Sequence, residues 1–156
     1  RGLWGKGSFH EASVRVPLVV RYPERFDPAT VTENVSLCDI FSTICDLADV
    51  PVPADVDSRS LVPLAAGDSS AWPDEAVAQN VGNDAVHDGI DSEDVMIRRG
   101  DLKYCYFGDD DSELLFDLAA DPGETTSVHD DPAHGDAVEQ FRERRRALGI
   151  GKGTWE

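Results

Sequence analysis

Lysine is the scarcest charge in this 156-residue chain, present only as Lys6, Lys103 and Lys152. Lysine and arginine together number 14 against 31 aspartates and glutamates, a formal net charge of −17. That balance excludes nucleic acid as the expected partner, because phosphate contacts need cations. The arginines crowded at Arg142, Arg144, Arg145 and Arg146 do not offset it and are read as complementing a helix C-terminus. Long apolar runs are also missing. None reaches the roughly 18 residues a membrane span requires, and no basic stretch followed by an apolar one marks a signal peptide. No membrane partner is therefore expected. The chain opens at Arg1 rather than Met, so it reads as an excerpt whose parent would carry any targeting segment upstream.

Cysteine is equally sparse. Cys38 and Cys45 lie seven residues apart, about 10.5 Å along a helix axis and beyond disulfide reach. With Cys105 they are expected to be small core residues in a reducing compartment, which places the protein in the cytoplasm. Chemistry-bearing signatures are thin too. There is no Gly-rich phosphate loop and no G-x-S-x-G elbow, and His10, His87, His129 and His134 have no metal-ligand spacing with cysteine. Asp109–Asp111 lacks the EF-hand pattern that would make it a calcium loop. His129 and His134 are expected to be solvated in a polar loop. No metal ligand is assigned to this chain.

What is present is acid, spread along the whole length rather than gathered in a tail. Such a surface repels itself at low ionic strength and suits a protein held in concentrated salt, which points to a halophilic source. Molar salt should accordingly raise the melting temperature of the chain, and a flat response in a thermal scan would sink that reading. At 40% hydrophobic residues the chain is long enough and apolar enough to bury a core.

Val14–Tyr22 is β-branched and apolar on both faces after Pro17, the pattern of a buried strand in an α/β sheet. Ser36 with Asp39 three residues on marks a helix start. Leu37, Ile40, Phe41, Ile44 and Ala48 give that helix its buried stripe, and Pro51 and Pro53 end it. Leu61–Ala66 reads as a short apolar turn and Ala76–Val81 as a strand. Val95–Arg99 and Leu102–Phe107 around Gly100-Asp101 form a hairpin signal, with a third strand at Glu113–Leu118. Asp136 with Glu139 caps a last helix whose stripe is Val138, Phe141 and Leu148.

Four stretches occur in one order that resembles the sulfatases of the alkaline-phosphatase superfamily. The first is Gly2-Leu3-Trp4-Gly5-Lys6 through His10-Glu11, followed by Arg15-Val16-Pro17-Leu18-Val19-Val20. The second is the helix from Ser36 to its proline turn at Pro53. The third is Ser58-Arg59-Ser60-Leu61 with Pro63-Leu64, where Ser58 stands in place of the usual glycine. The fourth is Leu115-Phe116-Asp117-Leu118 with Asp121-Pro122-Gly123-Glu124. The resemblance, to arylsulfatase- and choline-sulfatase-like members, covers nearly the whole chain and matches the family's C-terminal segment.

The resemblance implies an α/β fold. Residues 1–94 would be the tail of the catalytic domain, and residues 95–156 a small subdomain of antiparallel sheet covered by a helix. It implies a parent enzyme that hydrolyses a sulfate monoester, a small molecule or a saccharide, using calcium and a formylglycine made from a C/S-x-P-S-R motif. That motif and the calcium ligands are absent here, so this segment alone is expected to be inactive. Lys6 would bind the sulfate and stabilise charge developing on its oxygens, with flanking glycines letting the backbone approach closely. Arg1 would be a second anion contact. His10 could reach substrate, although packing beside Trp4 is the plainer expectation. Glu11 corresponds to an ion-paired glutamate, and Arg15 to an arginine entering the strand. Two other readings stay open: a phosphodiesterase or phosphonate monoester hydrolase on the same scaffold, and a non-catalytic interaction or dimerisation module. The sequence leaves room for a homo-oligomer.

Overall fold

A computed structural model describes residues 8–81 and 93–150 and divides the chain into two compact units. One is Leu18–Ala76; the other joins the residues up to Pro17 with those from Val77 onward.

In the unit Leu18–Ala76, helix α2 (Asp39–Leu47) follows a first short helix, α1 (Glu11–Val14), of the other unit, and precedes the single-turn helix α3 (Val62–Ala65). Ser36 and Asp39 do make the reciprocal contacts of a helix start. The Ser36 amide donates to the Asp39 carboxylate at 2.8 Å, and the Cys38 amide donates to Ser36 Oγ at 3.3 Å. The helix itself begins three residues later than the Ser36 start, because residues 37 and 38 form a turn. At the other end Asp49 takes a left-handed φ of 53°. The Val50 amide then reaches back to the Cys45 carbonyl at 2.9 Å, so the helix is closed before Pro51 is reached.

The buried face of α2 is not the apolar stripe. Asp39, Ser42 and Thr43 are buried, whereas Leu37, Phe41 and Ile44 are each half or more exposed. Polar residues turn inward because the backbone of 58–61 needs partners there. Asp39 accepts from the Arg59 amide at 3.0 Å, Ser42 and Ser58 share a hydroxyl contact at 2.5 Å, and Thr43 accepts from the Leu61 amide at 2.8 Å. Cys38 is exposed rather than a core residue. Residues 14–22 also depart from expectation. Val14 closes α1, and the following segment pairs with no strand among the described residues. Val19 is 88% exposed. An apolar, β-branched sequence without a ladder partner on either side cannot hold a strand.

The other unit is built on a sheet ordered β1 (Glu75–Val81), β2 (Glu93–Arg99), β3 (Leu102–Phe107), β4 (Ser112–Asp117). β2, β3 and β4 are antiparallel neighbours, and Arg99 faces Leu102 across the two-residue turn of Gly100 and Asp101. Gly100 has a φ of 54°, the left-handed value a tight hairpin turn demands. Alternation then sorts the side chains onto two faces. Ile97, Tyr104 and Leu115 are in register across three strands and fully buried. They pack with Val95, Tyr106, Val138, Phe141 and Ile150 under helix α4 (Gly135–Ala147).

α4 carries the apolar stripe read from its sequence, but Asp136 does not cap it. The start is prepared by a 3-10 turn, Pro132–His134, where Asp131 accepts from the Ala133 amide at 2.9 Å. Asp136 lies inside the first turn of the helix instead, its charge suiting the dipole there. The C-terminus closes on Gly149 (φ 73°), with the Ile150 amide bonded to the Arg145 carbonyl at 3.2 Å, which carries Ile150 into the core.

Glu113 pins this helix to the sheet. Arg142 grips it through Nε at 2.9 Å and Nη2 at 2.5 Å, the Tyr104 hydroxyl donates to it at 2.5 Å, and His129 Nε2 lies 3.0 Å away. His129 is thus bound between Glu113 and Asp130, and His134 lies 3.5 Å from Asp131; neither is merely solvated. Burial alone would raise the Glu113 carboxyl, but hydrogen bonds from Arg142, Tyr104 and His129 outweigh it and hold its pKa at about 2. The depressed folded-state value means that this group stabilises the fold fully above the ordinary glutamate range. That contribution is lost as pH falls from about 4.5 toward 2. Melting temperatures measured across that window should fall less steeply for Glu113→Gln than for the native chain. Parallel curves would show that the cluster carries no acid sensitivity.

Candidate functional site

The opposite face of the sheet carries Met96, Arg98, Lys103, Cys105, Leu114 and Phe116, which follow from the same registers. It is covered by the segment Ser8–Val14. Phe9 packs on Phe107 with ring centroids 6.4 Å apart, and His10 on Phe116 at 6.3 Å. Burial pushes the Cys105 thiol up to about 12, so it stays a neutral core group.

Lys103 lies in the middle of this face with no exposed surface. Its ammonium donates to the Phe9 carbonyl at 2.9 Å and to Glu124 Oε1 at 2.7 Å, and it lies 2.6 Å from Glu11 Oε1. Three acceptors match the three donors of an ammonium. Glu11 is also paired with Arg98 at 2.9 Å, and Glu124 lies 3.3 Å from His10 Nδ1. Two carboxylates thus face Lys103, Arg98 and, when protonated, His10. Glu124 also accepts from the Glu11 amide at 2.8 Å, a carboxylate reaching across 113 residues to the first turn of α1. Burial works against ionising Glu124, yet the bonds from Lys103 and the Glu11 amide keep its pKa below the ordinary value. The residue has a φ of 52°, rare for glutamate, at the end of the Asp121-Pro122-Gly123 turn. That turn is held by Asp121, which accepts from the amides of Thr125 at 2.6 Å and Thr126 at 2.9 Å.

Beside the cluster is a cavity of about 340 Å³ lined by Phe9, His10, Asn80, Asp94, Phe107 and Phe116, among others. Its walls are the rings of Phe9, Phe107 and Phe116, with the Asn80 amide, the His10 imidazole and the Asp94 carboxylate among its other lining groups. Of the residues singled out by sequence, His10 lines this space and is held by Glu124 and Phe116. Lys6, Arg1 and Trp4 lie outside the described residues. Glu11 is ion-paired, as its place in the motif implied. Lys103 was not singled out. The available signal was a lysine at the centre of an apolar strand, Leu102-Lys103-Tyr104-Cys105-Tyr106-Phe107, in a chain with only three lysines.

A family described as N-sulphoglucosamine sulphohydrolase, C-terminal, matches residues 1–149. The chain belongs to this sulfatase family. It also has relatives among named sulfatases. It is 33% identical over 130 residues to arylsulfatase K of Homo sapiens, covering 79% of this chain and 24% of that protein. It is 36% identical over 135 residues to choline-sulfatase of Rhizobium meliloti (strain 1021), covering 85% of this chain and 25% of that protein. The chain therefore spans about a quarter of the length of these relatives.

Solved structures agree with the α/β sulfatase fold. A 2-O GAG sulfatase superimposes with a TM-score of 0.60 at 26% identity, covering 70% of this chain and 23% of that one. The phosphonate monoester hydrolase of Agrobacterium radiobacter does so with a TM-score of 0.57 at 27% identity, covering 70% of this chain and 24% of that one. The resemblance carried by the four sequence stretches is thereby confirmed at the level of family and fold.

Proposed function

We propose that this chain is the C-terminal part of an enzyme that hydrolyses sulfate monoesters, and that Lys6 binds the sulfate. The observation that carries the reading is the family match over residues 1–149, which includes the Gly2–Glu11 motif in which Lys6 stands. Sulfuryl transfer loads negative charge onto the leaving oxygen, and a fixed ammonium stabilises that charge more than it stabilises the ground state. Arg1 is assigned as a second anion contact. His10 is assigned to the substrate because it lines the aromatic-walled cavity. The likeness to a 2-O GAG sulfatase favours a sulfated saccharide as substrate; the likeness to choline-sulfatase favours a small sulfate ester.

The rest of the machinery belongs to sequence outside this chain. Among the described residues no cluster of His, Cys, Asp or Glu is arranged to hold a metal, and none of the three cysteines lies in a C/S-x-P-S-R context. The family resemblance assigns calcium and formylglycine to the remainder of the parent protein, where formylglycine would supply the attacking oxygen. In this reading Leu18–Ala76 belongs to the catalytic α/β domain, and the C-terminal subdomain is the unit that joins the residues up to Pro17 with those from Val77 onward, because a boundary at residue 95 would cut through β2. The exposed apolar side of α2 is then a surface that the remainder of that domain covers.

A phosphonate monoester hydrolase is the second reading, favoured by the match to the Agrobacterium radiobacter enzyme. Parallel assays of the full-length protein on 4-nitrophenyl sulfate and on a phosphonate monoester decide between them. Preference for the sulfate, with a C/S-x-P-S-R motif upstream of Arg1, supports the first reading. Preference for the phosphonate overturns it, and loss of both activities leaves the chain a binding module.

A further inference from the structure

The segment Ser8–Val14 lies across one face of the sheet, yet none of it is buried: Ala12 is exposed and the other six residues are partly so. Its backbone–backbone bonds among the described residues close on the segment itself. They run from the amides of Ser13 and Val14 to the His10 carbonyl, and from the Arg15 amide to the Glu11 carbonyl. Packing beneath it is incomplete. The cavity of about 340 Å³ has Phe9 and His10 of this segment on one side and Cys105, Phe107 and Phe116 of the sheet on the other. A wall that faces a void has no atoms there to attract it. Attachment falls instead to charge. Glu11 lies 2.6 Å from Lys103 and 2.9 Å from Arg98. The Phe9 carbonyl accepts from Lys103 at 2.9 Å, and the Glu11 amide donates to Glu124 at 2.8 Å. Lys103 and Glu124 are buried on the sheet side, and Glu124 takes a left-handed φ to reach its place.

We propose that Ser8–Val14 is a strap, latched by Glu11 and Glu124 on Lys103, that opens as a unit while the sheet and α4 stay folded. Opening gives access to the cavity and to Cys105. Segments that open without global unfolding have few buried apolar contacts, and this one has no buried residue at all. Buried ion pairs add little net stability, but losing one partner strands the other. The latch is therefore either closed, or open with its charges returned to water. It is also acid-sensitive. Glu124 faces Lys103, the Glu11 amide and His10, while Glu11 faces Lys103 and Arg98. Burial works against ionising Glu124, but the bonds from Lys103 and the Glu11 amide outweigh it and hold its pKa below the ordinary 4.5. Its share of the latch is complete above that value and is lost as pH falls below it.

Peptide-resolved labelling of thiols with 4,4′-dithiodipyridine in the full-length protein tests this. Cys105 is 3% exposed and reacts only when something opens, and exposed Cys38 is the reference for the chemistry itself. Strap opening uncovers little surface. The labelling of Cys105 relative to Cys38 should therefore rise along a shallow branch at low urea before a steep branch of global unfolding takes over. A single steep line means that Cys105 is reached only by unfolding the sheet, and overturns the proposal without any variant. Glu11→Gln keeps the shape and removes the charge shared by Lys103 and Arg98. It should raise labelling on the shallow branch at least about 10-fold, the low end for a hydrogen bond between charged groups; no rise would overturn the latch. Phe141→Ala weakens the core under α4, which stays intact when the strap opens. It should leave the shallow branch within about 2-fold, and a rise as large as that of Glu11→Gln would overturn the strap as a separate unit. If Phe141→Ala does not fold, Phe141→Leu carries the same contrast. Lowering the pH below 4.5 should raise the shallow branch, and indifference to acid would overturn the part given to Glu124.

Discussion

Lys6→Ala in the full-length protein is expected to lower turnover of a sulfate monoester on the order of 100-fold while leaving the melting temperature unchanged. The size follows from what one fixed cation does in such a reaction. Removal of a single oxyanion donor costs about 100- to 1000-fold elsewhere, and an ammonium facing a group that gains negative charge belongs to the same class. A sulfate ester is an anion, and this segment has a formal net charge of −17; the long-range repulsion is common to the native and Lys6→Ala enzymes and does not change their ratio. Concentrated salt screens the long-range repulsion within a few ångströms but hardly weakens a direct contact. The Lys6→Ala defect should therefore persist in molar salt. Lys152→Ala removes an equal charge from the far end of the chain and should leave turnover at its native level. A Lys6→Ala enzyme within about threefold of the native rate would return Lys6 to the status of a surface lysine.

The sheet and its helix were legible because their patterns are local. Tyr104 and Tyr106 alternate with Lys103 and Cys105, Gly100-Asp101 is a hairpin turn, and Val138, Phe141 and Leu148 follow a helical period. Each of those choices agrees with its neighbours, and the structure places all of them as read. The errors fall where a residue's partner is remote. Residues 14–22 have a strand's composition, but composition does not supply a ladder, and none is formed within the described residues. The apolar stripe of α2 is real as a pattern. Within this chain, however, the side of the helix that is covered is the one whose Asp39 and Thr43 accept from the amides of Arg59 and Leu61. His129 was misread for the same reason: its partner Glu113 lies 16 residues away on β4.

The candidate site was legible only through the family resemblance, which pointed to the segment around Lys6 and to Glu11. Lys103 carries no local sign of its role beyond its place in an apolar strand. The register that turns Lys103 toward Glu11 and Glu124 is a property of three strands together, set by the opposite face, where Ile97, Tyr104 and Leu115 align. A one-residue slip of β3 would carry Lys103 under α4 and Tyr104 into the ion cluster. The apolar face under α4 therefore fixes the polar one.

That dependence makes Phe141→Ala the most damaging single core substitution to expect in this unit, at about 3–5 kcal/mol. Phe141 is buried at the centre of α4. Its ring stacks on Tyr104 with centroids 5.5 Å apart and planes 2° from parallel, and the Arg99 guanidinium lies 5.6 Å from its centroid. Truncation removes the stacking, the burial of the ring and the filler between Val95, Ile97 and Val138 at once. Backbone collapse cannot close the gap, because Glu113 and Arg142 hold α4 at its distance from the sheet. Phe141→Leu retains most of the volume and should cost less than about 1.5 kcal/mol. Urea unfolding followed by far-ultraviolet circular dichroism reads both. A loss of the order given is a large share of the roughly 5–15 kcal/mol that hold a domain together, and it should appear as a lower midpoint at an unchanged slope. A Phe141→Ala midpoint as high as that of Phe141→Leu would mean that α4 repacks freely. The register of β3, and with it the aim of Lys103, would then have to be set by the hairpin turn and the ion cluster rather than by the core beneath the helix.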